Sequence, residues 1–481
     1  MLDYVVVGNG ILGLSLAFRL KRNNPAARVA LVGPLHRRGN ATLAAGAMLN
    51  VWAEVCNGQF EDPFLWKRFQ LAIRGMDMWE SFAGEIEQVT GCPIGINWGT
   101  YVINTPLAAP WGDQTWRYFK NALKDNDVEH QVMDPLDVPY LEPAQDSRPL
   151  EAVKIPDGYF NPMTVISALD KAMADLGIEV HDTEAVRIDS KGTFTRTFRT
   201  FLADDSSLDS GAVVLANGSF AQALIDQIPP LRKEVPRLLW GAGSALELSF
   251  PAWVPEYQSS PLWEMDCVVR GLNPVGACGL HVVPRGELRY FVGASSTVLY
   301  DREWDPRAHS IGFLIHAVVR EVNRRFAFTT VKLIGNGFRP ITIDMFPLLG
   351  ESNIPGLWFL NGMKRDGLTA APYLAGELAS EMAGKQSSLP EFFRPARPLI
   401  PYKERETAIK DAVMFGINAD RQHELRLPPW MDEKLIKQRT DELEAIYAKR
   451  NLRNFGMHPE VTHIYDNDTF YKGVKHGLMA N

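Results

Sequence analysis

Gly8, Gly10 and Gly13 stand in the spacing G-x-G-x-x-G, the first residues of the chain whose types and separation could do chemistry. Glycines so placed let backbone N–H groups come close to an anion, so the chemistry on offer is the cradling of a pyrophosphate. A second stretch, LNGMKRDGLTAAP (360–372), sets Lys364, Arg365 and Asp366 between Gly362 and Gly367 where a helical pattern begins. A third, GFRP, carries Arg339. A planar guanidinium can hold a carboxylate through two parallel hydrogen bonds, though a lone arginine serves equally well as half of a structural ion pair.

Glycines bind phosphate only in the right setting. DYVVVG (3–8) is a β-branched run, as expected of a buried parallel strand. A helical pattern follows through Leu14, Ala17, Phe18 and Leu20, and RVALVG closes a βαβ unit at Gly33. The second strand of such a unit normally ends in an acid that binds the ribose hydroxyls. Here Gly33 and Pro34 occupy that place. His36, Arg37 and Arg38 come next, and read either as ribose or phosphate ligands, the latter a mark of NADP, or as a solvated basic loop. RRGNATLAAGAML (37–49) is rich in small residues that let backbone lie against a ligand or a neighbouring element. GAVVLANGSFAQAL (211–224) repeats the strand, small-residue turn and helix at Ala216-Asn217-Gly218, as expected when the chain returns to a long cofactor.

The rest of the composition narrows the class. A chain of 481 residues suggests two or three domains. A net charge of −7 argues against a nucleic-acid partner. Cys56, Cys92, Cys267 and Cys278 are scattered without CxxC spacing, which fits a reducing compartment and no metal site. No apolar run reaches the ~18–20 residues of a membrane helix. The first strand begins too early to leave room for a signal peptide. The expectation is a cytoplasmic protein with no membrane partner.

These pieces, in this order, resemble the FAD-dependent D-amino-acid oxidase family, in its glycine oxidase and sarcosine oxidase branch. VVVGNGILGLSLAFRL resembles the family's dinucleotide fingerprint, AAGAML its flavin-side loop, and VVLANGSF its returning strand. The helix and strand of 71–103, the segment 157–180, HVVPRGELRYFVGASS (281–296), GFRPITIDMFPLLG (337–350) and GLWFLNGMKRDGLTAAP (356–372) complete the resemblance over residues 3–384.

The resemblance implies an α/β fold: a Rossmann-type FAD-binding domain from 1–70, 150–230 and 335–384, and a mixed-sheet substrate domain from 71–149 and 231–334. It implies oxidation of an amine next to a carboxylate. Hydride passes to the flavin, the imine is hydrolysed, and O2 reoxidises the flavin to give hydrogen peroxide. By the same resemblance Arg339 and Arg365 hold the substrate carboxylate, and His281 replaces a pocket tyrosine. Ser296, Met363 and Lys364 fall at pocket positions, with Lys364 expected to be solvated. Gly8, Gly10, Gly13, Thr42, Ala45, Gly46, Ala47, Met48, Val186, Ala216, Asn217, Gly218, Gly362, Gly367, Leu368 and Thr369 fall to the FAD. A helix starting near Thr369 would turn its N-terminus to the flavin edge. Some relatives bind flavin through a cysteine where Gly337 stands, so the FAD is expected to be noncovalent.

The changes at His281, Ser296, Met363 and Lys364 put glycine itself in doubt and suggest a larger or more polar amino acid or N-substituted amine. Residues 385–481 extend past the family pattern. A proline-rich stretch (389–402) precedes two helical patterns, the second over 431–451 with Leu435, Leu443, Ile446 and Tyr447 on one side. This extension straps back over the body, caps the substrate entrance, or forms a subunit contact that makes a homo-oligomer. Three rivals stay open: a flavin dehydrogenase with another electron acceptor, an NADP enzyme using Arg37 and Arg38, and a noncatalytic assembly component.

Overall fold

A computed structural model of the chain describes residues 1–105, 111–190, 197–251, 265–272, 279–422 and 428–475. Cys278 lies outside the described residues; Cys56, Cys92 and Cys267 are free thiols.

The strands in chain order are β1 (Leu2–Val7), β2 (Val29–Val32), β3 (Met48–Leu49), β4 (Asn97–Asn104), β5 (Gln131–Met133), β6 (Glu151–Tyr159), β7 (Glu179–His181), β8 (Ala185–Ser190) and β9 (Phe198–Leu202). They continue with β10 (Ser207–Leu215), β11 (Leu238–Ser249), β12 (Val268–Gly271), β13 (His281–Pro284), β14 (Arg289–Gly293), β15 (Thr297–Leu299), β16 (Thr330–Thr342), β17 (Leu348–Glu351) and β18 (Leu357–Asn361). The smaller sheet runs β17-β18-β10-β1-β2-β7, with β8 and β9 paired beside β10. Its centre is parallel: Val5 lies beside Ala30 on one side and Val213 on the other. The larger sheet runs β15-β11-β14-β13-β12-β4-β6-β3, with β16 on β11 and β5 on β6. It is antiparallel except where β12 meets β4. Strand β6 falls within the 150–230 stretch yet pairs in the larger sheet, so the chain crosses between sheets there.

Four helices form an apolar layer beside the smaller sheet, the second of them packed on the third and fourth and not on the sheet itself. They are α1 (Ile11–Asn23), α2 (Pro63–Thr90), α3 (Pro162–Asp175) and α4 (Gly367–Met382). Local sequence explains their ends. The Asp62 side chain accepts from the Phe64 and Leu65 N–H groups ahead of α2, and Gly91 closes that helix at φ +68°. Asn161 caps α3 in the same way. Phe18, Trp79, Phe82 and Leu374 fill the space between the helices. Each such side chain, fully buried, contributes roughly 1.5–3 kcal/mol. At Gly75 α2 crosses α4 so closely that a Cβ would collide with the backbone of Thr369 and Ala370. Beside this crossing, Trp79 Nε1 donates to the carbonyls of Leu368 (3.2 Å) and Thr369 (3.1 Å). The start of α4 is thus held by packing and by hydrogen bonds.

The extension folds back onto the body. Helices α5 (Arg405–Gln422) and α6 (Pro429–Arg450) share an apolar cluster with Ile341, Ile343 and Met345, to which Leu443 and Tyr447 contribute as the helical pattern predicts. Two short helices, Thr462–Asp466 and Asp468–Lys475, follow; they are too short for their apolar period to declare them. In the proline-rich stretch, Arg397 is buried in a two-pronged pair with Asp344. Removing one partner of a buried pair of this kind costs about 3–5 kcal/mol.

Candidate functional site

One large cavity, of about 940 Å³, opens where the two sheets meet. That lies at the upper end of the ~300–1,000 Å³ usual for small-molecule sites. Its first wall is the β1–α1 turn. Gly8 has φ +118°, a region that favours glycine, and a Cβ there would press on the Ala216 backbone at 2.5 Å. A Cβ on Gly13 would strike the Gly8 carbonyl, so Gly13 sets helix against strand and does not line the cavity. Gly10 does line it, and is the N-cap of α1 with no side chain capping the helix. The Ile11 N–H finds Thr42 Oγ1 at 3.2 Å.

In the basic loop after β2, His36 and Arg38 are exposed and Arg37 is half-buried, and all three line the cavity. Arg37 makes two hydrogen bonds to Asp170 (2.9 and 2.5 Å) and one to the Asn9 carbonyl (3.0 Å). Arg38 lies over the Trp304 ring at 4.4 Å, and Arg302 lies over the same ring at 4.2 Å. The missing acid has a physical reason. Asn9 Nδ2 donates to the carbonyls of Gly33 (2.9 Å) and Pro34 (3.0 Å), and any Cβ at position 33 would meet the Asn9 side chain at 2.6 Å.

Thr42, Ala45, Gly46, Ala47 and Met48 lie along the cavity, as do Val186, Ala216, Asn217 and Gly218. Arg285 holds the small-residue loop through the Gly46 carbonyl at 2.9 Å. The far wall is the start of α4: Gly367, Leu368 and Thr369 line it. The helix begins at Gly367, two residues before the expected start at Thr369, with Asp366 as N-cap. Asp366 does not cap with its side chain because Arg68 of α2 takes the carboxylate at 2.7 Å. Gly362, expected at the cofactor, stands off the cavity. It is a turn glycine at φ +73°, where a Cβ would press on Thr342 Cγ2 at 3.1 Å.

The residues expected at the substrate also converge. Arg339, Arg365, His281, Met363 and Lys364 all line the cavity; Ser296 does not. Strand pairing explains much of this. Arg339 sits on β16 opposite Gly241 of β11, and a Cβ on the neighbouring Gly243 would collide with its guanidinium. Arg339 Nη1 donates to the Ser295 carbonyl at 3.1 Å, and no carboxylate among the described residues lies within ion-pairing distance of it. His281 on β13 is buried, and its Nδ1 lies 3.0 Å from the Gly279 carbonyl. A carbonyl only accepts, so Nδ1 carries the proton and Nε2 keeps a lone pair. Burial, with Arg270 and Arg339 nearby, pushes its pKa down to about 3, so the ring is neutral.

Arg365 differs from the expectation. Its Nε lies 3.6 Å from Glu54 Oε2, and the same carboxylate receives Arg270 Nη1 at 2.9 Å. Burial alone would raise the Glu54 pKa, but Arg365 and then Arg270 outweigh it and hold it at about 2. Neither Glu54 nor Arg270 was singled out from the sequence. Arg270 is 1% exposed, and an arginine inside the apolar run CVVRG is the signal that could have found it, since a buried charge needs a partner. Glu54 is positioned by Asp157. That buried carboxylate accepts from the N–H groups of Val51 (3.1 Å), Trp52 (3.1 Å) and Ala53 (2.9 Å), fixing the turn Trp52–Glu54. Burial raises the Asp157 pKa to about 6 against the pull of those hydrogen bonds.

Lys364 is the clearest correction. It is buried, not solvated, and its Nζ lies 2.5 Å from Glu460 Oε1 of the extension. The expectation failed because residue 364 is hidden by chain from almost a hundred residues further on.

A model of the family described as FAD dependent oxidoreductase matches residues 3–382. The bifunctional protein ThiO/ThiG of Synechocystis sp. is 24% identical over 401 residues, covering 82% of this chain and 54% of its own length. The chain thus spans about half the length of the curated relatives it matches. Among solved structures, glycine oxidase from Geobacillus kaustophilus superposes with TM-score 0.67 at 22% identity, covering 82% of this chain and 98% of the other. Iminodiacetate oxidase from Chelativorans sp. BNC1 superposes with TM-score 0.65 at 21% identity, covering 82% and 99%. At these identities the structural likeness speaks for the fold. Among the described residues no helix is long and apolar enough to cross a membrane.

Proposed function

The chain belongs to the FAD dependent oxidoreductase family, and on that premise we propose that it oxidises an amine next to a carboxylate and passes the electrons to O2, giving hydrogen peroxide. The substrate class is an amino acid or N-substituted glycine. The observation that carries this is Arg339: a guanidinium on the cavity wall, bonded to one carbonyl, with no carboxylate of the described chain to neutralise it. The printed names of two structural neighbours, glycine oxidase and iminodiacetate oxidase, fit the same class.

Several features support FAD at the glycine-lined end. Asn217 Oδ1 is buried on the cavity-lining turn with no hydrogen-bond partner. The N-cap of α1, Gly10, has no side chain, so apart from the Ile11 N–H, which Thr42 Oγ1 takes, the dipole and N–H groups of the first turn are left to phosphate. Gly10 has no Cβ to block the approach. We assign the FAD-binding domain to the stretches 1–70, 150–230 and 335–384, with the cofactor held without a covalent bond, and the substrate domain to 71–149 and 231–334, to whose sheet β16 adds Arg339.

When bound, FAD supplies the hydride acceptor. The chain's own residues do the positioning. Arg339 takes the substrate carboxylate in two parallel hydrogen bonds and so fixes its orientation. His281 Nε2, with its lone pair, accepts from the substrate nitrogen. The α4 N-terminus offers a positive dipole end to negative charge developing at its side of the cavity. Arg365 shares its charge with Glu54, so the anchor falls to Arg339, with Arg365 and Arg270 keeping Glu54 ionised in the wall.

With a good amine substrate in air, one mole of peroxide is expected for each mole of amine consumed. Turnover with an artificial acceptor and no peroxide would replace the oxidase by a dehydrogenase.

A further inference from the structure

Resting on the amine-oxidation reading of this cavity, we propose that Glu460, in the extension, is a positioning residue of the substrate site. It neutralises Lys364 and draws its ammonium toward the extension, leaving the cavity's carboxylate-binding charge to Arg339.

The family match ends at residue 382, just before the extension of 385–481, so Glu460 lies outside the matched part of the chain. The Lys364 and Glu460 side chains are each 4% exposed, and their Nζ–Oε1 separation is 2.5 Å. Lys364 lines the large cavity and also a second, smaller one of about 80 Å³. The smaller cavity abuts the first behind Arg365 and is closed from the extension side by Tyr402, Lys403, Asp411 and His458. The ammonium therefore stands between substrate space and extension, and Glu460 decides its direction. The backbone supports a role for the side chain itself. Lys364 sits at φ +54°, a conformation glycine adopts more readily, and its N–H is held by the Pro340 carbonyl at 2.9 Å.

The same loop is gripped on its other flank, where Asp366 pairs with Arg68 at 2.7 Å. Arg365 lies between these two ties. Without Glu460, an uncompensated ammonium stands beside Arg365, where Glu54 and Asp366 are carboxylates lining both cavities, and Asp366 is already tied to Arg68. Drawing on Glu54 would disturb the Arg270–Glu54–Arg365 arrangement next to His281.

The test uses the FAD-loaded full chain and acetate, a carboxylate that cannot be oxidised, titrated through the bound flavin's visible spectrum. Glu460→Gln should raise the acetate Kd at least 10-fold and raise KM more than it lowers kcat, with flavin content unchanged. The double variant Lys364→Met/Glu460→Gln should lose less acetate affinity than Glu460→Gln alone, because the unpaired charge is gone. An acetate Kd in Glu460→Gln that is within two-fold of the unaltered protein, or lower because the freed ammonium itself attracts acetate, would overturn the proposal whatever the melting temperature. So would a double variant no better than the single. If Glu460→Gln does not fold, Glu460→Asp carries the test, keeping charge but shortening reach: a raised Kd at full flavin content supports the proposal and an unchanged one overturns it. Acetate binding needs no turnover, so this result stands apart from whether any amine is oxidised.

Discussion

Replacing Arg339 by leucine should lower kcat/KM for carboxylated amines about 10³-fold, roughly 4 kcal/mol, while FAD stays bound. The size follows from what leucine removes. Among the described residues the Arg339 side chain bonds only the Ser295 carbonyl, and it lines the cavity. A bidentate guanidinium–carboxylate contact in a partly desolvated pocket is a charge-assisted pair, and truncating one side of such a pair costs about 2–5 kcal/mol. Little structural damage is expected, because the substitution breaks no ion pair of the described residues. Arg365→Leu should behave differently. It strips a partner from Glu54, whose carboxylate keeps Arg270 as its second cation, so binding and stability should fall together. Steady-state kinetics with flavin content and melting temperature measured in parallel separates the two. If Arg339→Leu keeps kcat/KM within three-fold, the anchor has been assigned to the wrong residue.

Gly10→Val should give a folded, colourless protein. A Cβ at Gly10 meets only the ends of two side chains, Asn40 Nδ2 at 3.3 Å and Thr42 Oγ1 at 3.5 Å, so the chain can accept it. A valine projects further, into the space where a pyrophosphate would approach the α1 N-terminus. A loss of FAD affinity of at least 100-fold, about 2.7 kcal/mol, is expected. Gly13→Val is the contrast. Its Cβ would strike the Gly8 carbonyl, so folding itself should suffer, and reconstitution with added FAD should fail. Circular dichroism and FAD titration of both variants check the pair. A Gly10→Val protein that remains yellow at full occupancy would remove the glycine turn from the cofactor site.

Much of the frame is legible in the sequence. The glycine spacing, β-branched first strand and apolar helix pattern all act within about thirty residues, and local periodicity reports such units well. The resemblance then carried Arg339, Arg365 and His281 to one cavity. What stayed hidden has a common physical form. Arg270 finds Glu54 from 216 residues away, and Lys364 finds Glu460 from 96 residues away. Periodicity says which side of an element is buried, not which distant charge it meets. Gly33 is a smaller instance: its lack of a side chain is explained by Asn9, through a hydrogen bond spanning 24 residues. Ser296 and Gly362 stand off the cavity for a related reason. Each is one or two residues from a cavity-lining neighbour, and a short turn is enough to send it elsewhere.

The proposed function requires that this cavity hold FAD and reduce it with an amine that carries a neighbouring carboxylate. Anaerobic bleaching of the purified protein tests this most directly, across a panel of amino acids and N-alkyl glycines with their decarboxylated counterparts alongside. A yellow protein should bleach with at least one carboxylated amine and stay yellow with the amine that lacks the carboxylate. A flavin-loaded protein that no carboxylated amine bleaches, or that bleaches equally well without the carboxylate, would contradict the account.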